Sequence, residues 1–225
     1  MANMLNNVIA RSVLYGVTDS LNTYISQAFG TGDYHMCGVY LNRARALNLL
    51  IYVVVVLILQ FASAFFMLIG LDSETANYAQ QYLNLCLVGV FFNTMGAANK
   101  SLLNCMGHQR EPMIIQMIVT TLHFALCHVL CYKLGFGIFG PPIAIALSNL
   151  NNFALLHFTT SKILIKDLRI KQAWFLPSKS SFRCDCLLEF MKVGLPSVGV
   201  LSLSWWSFEL MSLFAAGISM KCIAI

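Results

Sequence analysis

Charged side chains are scarce in this sequence. Asp, Glu, Lys and Arg make up 10% of its 225 residues, against about 25% in an ordinary soluble domain. So small a supply cannot cover a water-facing surface, which argues against a soluble globular fold. The period-two alternation of a membrane β-barrel is also missing. Residues 1–12 lack the basic start and compact apolar core of a cleavable signal. The 8 cysteines have no disulfide-framework spacing and fall mostly inside apolar runs, where they read as small packing residues.

What fills the chain is apolar: 58% of it is hydrophobic and its mean hydropathy is +0.72. Long apolar runs separated by short polar patches predict an all-α, polytopic membrane helix bundle with the lipid bilayer as its main partner. The net charge of +5 does not point to nucleic acid, because the basic residues gather between the apolar runs, as membrane topology arranges them. No cofactor is implied.

Six membrane segments are expected, at roughly 5–30, 46–70, 79–106, 113–134, 138–161 and 193–220. Local signals mark the breaks between them. "GTGDYHMCG" turns the chain after the first, Asp72 or Ser73 caps the third, and "GHQREP" ends one segment at Gly107 and opens the next at Pro112. The breaks after the first, third and fifth segments carry Arg43 and Arg45, Arg110, and the Lys/Arg-rich stretch from Lys162 to Lys192. These breaks should be cytoplasmic, which leaves both chain ends on the far side. A further helix at each end would account for that arrangement, so a fragment of a longer protein is expected.

The most informative side chain is Glu209, in "LSLSWWSFELMSLF". It lies a little beyond the middle of the run from Lys192 to Lys221, which spans about 43 Å as helix. A carboxylate at that depth is costly when charged and is a functional candidate by default. Trp205 and Trp206, four and three residues earlier, put an aromatic wall beside the acid. That pairing suits an organic cation, through cation–π attraction and charge. The competing reading has the tryptophans in an interfacial belt and Glu209 paired with a basic residue.

In the first segment Asp19, Asn22, Ser26 and Gln27 fall near one face, which either lines a water-filled cavity or forms a polar helix interface. His123, Cys127 and Cys131 recur every four residues, but no further ligand of recognised spacing completes a metal set. Asn149, Asn151, Asn152 and His157 serve either a cavity or inter-helix hydrogen bonds, the second being the commoner role. Lys100 is placed to snorkel toward the interface. The sequon at residues 99–101 lies within a span and is discounted. Cys184 and Cys186 flank Asp185 in the basic break, where lipid attachment is one option and an unmodified loop the other.

Several stretches together resemble the multidrug and toxic compound extrusion (MATE) family, eukaryotic branch. "GVTDSLNTYISQAFGTGDYHMCGVYLNRA" is similar to its second helix and loop, "LLNCMGHQREP" and "GFGIFGPPIAIALS" to later junctions, and "MKVGLPSVGVLSLSWWSFEL" to its seventh helix. The resemblance implies part of a two-lobed, twelve-helix transporter fold covering the second to seventh helices. Residues 1–165 would be a partial N-terminal lobe, 166–192 a basic cytoplasmic linker, and 193–225 the first helix of the C-terminal lobe.

By the same resemblance the complete protein would be a monomeric antiporter, not an enzyme, exporting organic cations or lipophilic compounds in exchange for protons or sodium. Glu209, Trp205, Trp206, Asp19, Asn22 and Gln27 would form its substrate and proton site. Ser204 stands where the family has a first acid, and Asn22 where it has an aspartate. A lipid-linked sugar flippase, which would need cations such as Lys100 and Arg11, and a truncated non-transporting membrane protein are the alternatives.

Overall fold

The computed structural model of the chain describes residues 2–167, 170–175 and 184–218. For residues 184–186, 189, 212, 213 and 215–218 it describes the backbone only. Arg169, Lys179, Arg183 and Lys221 lie outside the described residues, as do the side chains of Cys184, Asp185 and Cys186.

Helices account for nearly all of the described chain. The first, α1, joins Ala2–Leu5, a π-helical stretch Asn6–Arg11 and Ser12–Gly30 into one rod. It is followed by α2 (Tyr34–Leu59), the short α3 (Ala62–Leu68) and α4 (Ser73–Cys105). Next come α5 (Arg110–His128, prolonged by a π-helical turn, Val129–Lys133), α6 (Gly140–Lys166) and α7 (Cys184–Ile218). The closest pairings are α4 with α6 and α1 with α7.

Several junctions follow from local chemistry. Asp33 caps α2 by accepting the Met36 amide at 3.0 Å, and Asp72 caps α4 by accepting that of Thr75 at 2.9 Å. Hydrogen bonding from Thr75 holds the Asp72 carboxyl below the ordinary carboxylate range. Gly107 ends α4 at φ 84, a left-handed conformation that glycine adopts without strain.

The second and last segments differ from the expected bounds. The polar residues 34–45 are not a loop but the first turns of α2, because Asn42 and Arg45 find buried partners there. Arg43 and Arg45 are therefore helical residues, and Arg43 lies over the Tyr40 ring at 5.7 Å. The expected continuous span to residue 70 breaks at Gln60–Phe61. Gln80 bridges that break, donating to the Leu59 carbonyl at 2.9 Å and accepting the Ser63 amide at 2.9 Å. Its amide satisfies backbone groups that the interruption leaves unpaired. At the far end, α7 starts at Cys184 and carries Pro196 inside it.

The interior is apolar with polar side chains set among it, and large apolar side chains cover the outside as well. Asn48 donates to the Thr18 hydroxyl at 2.9 Å between α2 and α1, both residues being buried. Leu68, Phe124, Phe158 and Phe208, meanwhile, are exposed. Helices that meet through small and polar residues under an apolar exterior are built for lipid. Among the described residues, Tyr34–Leu59 and Arg110–Lys133 are by themselves long and apolar enough to cross a membrane.

Candidate functional site

The site begins where α1 and α7 touch. Glycine permits their close approach: a Cβ on Gly16 would stand 2.4 Å from the Val198 Cα. One turn closer to the chain start, the π-helical stretch shifts the backbone out of α-helical register. The Val8 carbonyl there accepts the Ser12 hydroxyl at 2.6 Å and the Trp206 indole N–H at 3.2 Å. π-Helical turns within α-helices recur at functional positions for this reason, since they free carbonyls for other partners.

Beside that contact, the Asn7 amide Nδ2 donates to Glu209 Oε1 at 2.9 Å. Glu209 is partly buried, and among the described residues no cation lies within ion-pairing reach of it. Its partner is thus a neutral amide, and the basic partner of the competing reading is not found. Together with Trp206 it edges a cleft of about 380 Å³ whose other walls include Leu5, Phe65, Phe66, Ile69 and Leu210. Among the described residues, Glu209 is the one charged residue lining that cleft. An acid with a neutral partner and apolar walls can accept a proton or an organic cation without displacing an internal salt bridge.

Trp205 turns elsewhere, its ring 6.3 Å from that of Tyr15. The Tyr15 hydroxyl donates to Asn93 at 2.6 Å, Asn93 to Asn149 at 3.1 Å, and Asn149 to the Gly89 carbonyl at 3.1 Å. This chain of amides ties α1, α4 and α6 together, so Asn149 serves inter-helix hydrogen bonding. The Ser204 hydroxyl bonds back to the Val200 carbonyl of its own helix, at 3.1 Å.

The remaining expected site residues are not gathered at Glu209. Asp19 is exposed and accepts the Asn22 amide at 3.0 Å. Asn22 in turn accepts the Ser101 hydroxyl of α4, and Gln27 is exposed one turn further on. Asp19 lies twelve residues along α1 from Asn7, about 18 Å of helix rise. Asp19 and Glu209 therefore stand at different depths. His123 is engaged at both ring nitrogens, by the Ser148 hydroxyl at 3.0 Å and the Cys127 thiol at 3.4 Å.

A second polar cluster was not legible in the sequence. Arg45 donates to Asn99 at 2.5 Å and to Asn42 at 3.3 Å, and its guanidinium lies 5.3 Å from the Trp174 ring centre. Asn42 holds the Phe175 carbonyl at 3.1 Å. Residues 170–175 are thereby fixed across α2, with Ile170 and Ala173 buried. Asn99, the asparagine of the sequon, is itself buried in this cluster.

Comparison with known proteins agrees with this architecture. The sequence model of the MatE family matches residues 1–129. An uncharacterized transporter of Schizosaccharomyces pombe is 26% identical over 223 residues, covering 97% of this chain and 39% of that protein. Protein DETOXIFICATION 12 of Arabidopsis thaliana is 28% identical, covering 96% and 44%. The crystal structure of the eukaryotic MATE transporter AtDTX14 shares the fold with a TM-score of 0.82 and 24% identity, covering 95% of this chain and 46% of that one. An inward-facing MATE transporter structure gives a TM-score of 0.74 at 20% identity. The chain thus spans less than half the length of these relatives. It belongs to the MatE family, whose members are multi-pass membrane transporters rather than enzymes.

Proposed function

We propose that this chain supplies one lobe's helices and the exchange acid of an exporter that trades lipophilic organic cations for protons. In this reading residues 1–165 belong to the first lobe, 166–192 join the lobes, and 193–225 begin the second. The observation that carries it is Glu209, held by the Asn7 amide at 2.9 Å and lining an apolar cleft together with Trp206. A carboxylate among apolar walls attracts a cation, and an adjacent indole adds cation–π attraction for an organic one. A proton neutralises the same carboxylate, so the two compete. Alternating exposure of such a site to the two sides of the membrane makes competition into exchange.

The test is transport by the full-length gene product in proteoliposomes with an imposed pH gradient. Glu209→Gln keeps the side chain's shape and removes its titration. It should abolish gradient-driven movement of tetraphenylphosphonium while leaving membrane expression at the wild-type level. Wild-type exchange by that variant would refute the assignment.

A further inference from the structure

The groove between α4 and α5 holds a feature that the cation reading does not use. A groove of about 530 Å³ lies between the two helices. Its walls carry Lys100 and Asn104 from α4 and Gln116, Thr120 and Thr121 from α5, with Met113 and Met117 as apolar floor. Among the described residues, Lys100 makes no ion pair or hydrogen bond. The nearby acid of the hairpin, Glu111, is engaged by His108 at 3.5 Å.

A lysine close to a helix end could simply extend to the interface. The surroundings argue for more than that. Gln116 already donates to the Thr120 hydroxyl at 3.3 Å and Thr121 to the Met117 carbonyl at 3.0 Å, which leaves the amides of Asn104 and Gln109 and the Thr120 hydroxyl as donors to an oxyanion drawn to Lys100. The exposed methionine side chains offer an adaptable apolar surface next to the charge.

We infer that this groove binds an amphiphilic oxyanion, a sulfonate, carboxylate or phosphate on an apolar body, with Lys100 as its counter-charge. A soluble organic anion and the phosphate of an anionic lipid share that chemistry. The site is independent of Glu209, and its test does not involve exchange.

The test is equilibrium dialysis of the chain in phosphatidylcholine nanodiscs against 2-naphthalenesulfonate. Saturable binding is expected. Lys100→Gln should weaken it about tenfold or more, the scale of one charge-assisted hydrogen bond. Lys100→Arg should retain most of it. Lys133→Gln, an equal charge change at the other end of α5, should leave it unaltered. Displacement of the probe when phosphatidylglycerol replaces part of the lipid would assign the site to a lipid phosphate; absence of displacement would assign it to a soluble anion. The inference is overturned if wild type shows no saturable binding, or if Lys100→Gln and Lys133→Gln bind equally.

Discussion

At the scale of single residues, the chemistry concentrates in one hydrogen bond across 202 positions of sequence, from Asn7 to Glu209. The amide fixes one carboxylate oxygen and leaves the other available to a ligand in the cleft. Orientation of this kind costs entropy only once, in folding, and need not be supplied when the cation arrives. Asn7→Ala should therefore weaken tetraphenylphosphonium binding by about tenfold, the typical worth of a hydrogen bond to a charged group. Direct titration of the purified chain measures this, and unchanged affinity would show that Asn7 merely fills space. The tryptophan pair divides its labour in the same neighbourhood. Trp206 presents its ring to the cleft while its N–H is spent on the Val8 carbonyl, and Trp205 packs on Tyr15.

At the scale of elements, the approach of α1 to α7 is what brings Asn7 and Val8 to Glu209 and Trp206. Gly16→Ala would place a methyl 2.4 Å from the Val198 Cα and 2.8 Å from its backbone nitrogen. Backbone cannot yield to that as a flexible side chain could, so the helices must separate. The predicted result is a lower thermal midpoint in detergent, together with weaker cation binding because both inter-helix contacts at Val8 and Asn7 loosen. Loss of stability with cation affinity intact would separate the packing role from the site.

The elements also show what could be read in the sequence. Asp72 and Gly107 announce helix ends because capping and left-handed turns depend on neighbours in the chain. Glu209 stood out because an acid in an apolar run is conspicuous wherever its partner lies. The start of α2 was missed because residues 34–45 look like a loop until Asn42 and Arg45 are seen to be bonded to Phe175 and Asn99. The break at Gln60 was missed because Gln80, its remedy, comes from another helix. Asn7 offered no signal at all, being one asparagine among several until α7 folds against it.

At the scale of the whole molecule, the many large apolar side chains on the outside and membership of the MatE family identify lipid as the surrounding solvent. The chain covers 39% and 44% of the two curated relatives described above. Within that frame the chain carries an acid in an apolar cleft at the α1–α7 contact and an unpaired lysine in a polar groove between α4 and α5. Ser204 is bonded to its own helix, and Asp19 stands at a different depth from Glu209. Coupling in this account thus rests on a single carboxylate in α7.

That claim is tested most directly by the pH dependence of tetraphenylphosphonium affinity, measured on the purified chain across the acid-to-neutral range. Protons and the cation compete for Glu209, so wild-type affinity should rise as the proton leaves and level off once the acid is fully ionised, while Glu209→Gln should bind weakly and equally at every pH. A wild-type affinity that does not change with pH, or a Glu209→Gln variant that keeps the wild-type pH profile, would contradict it.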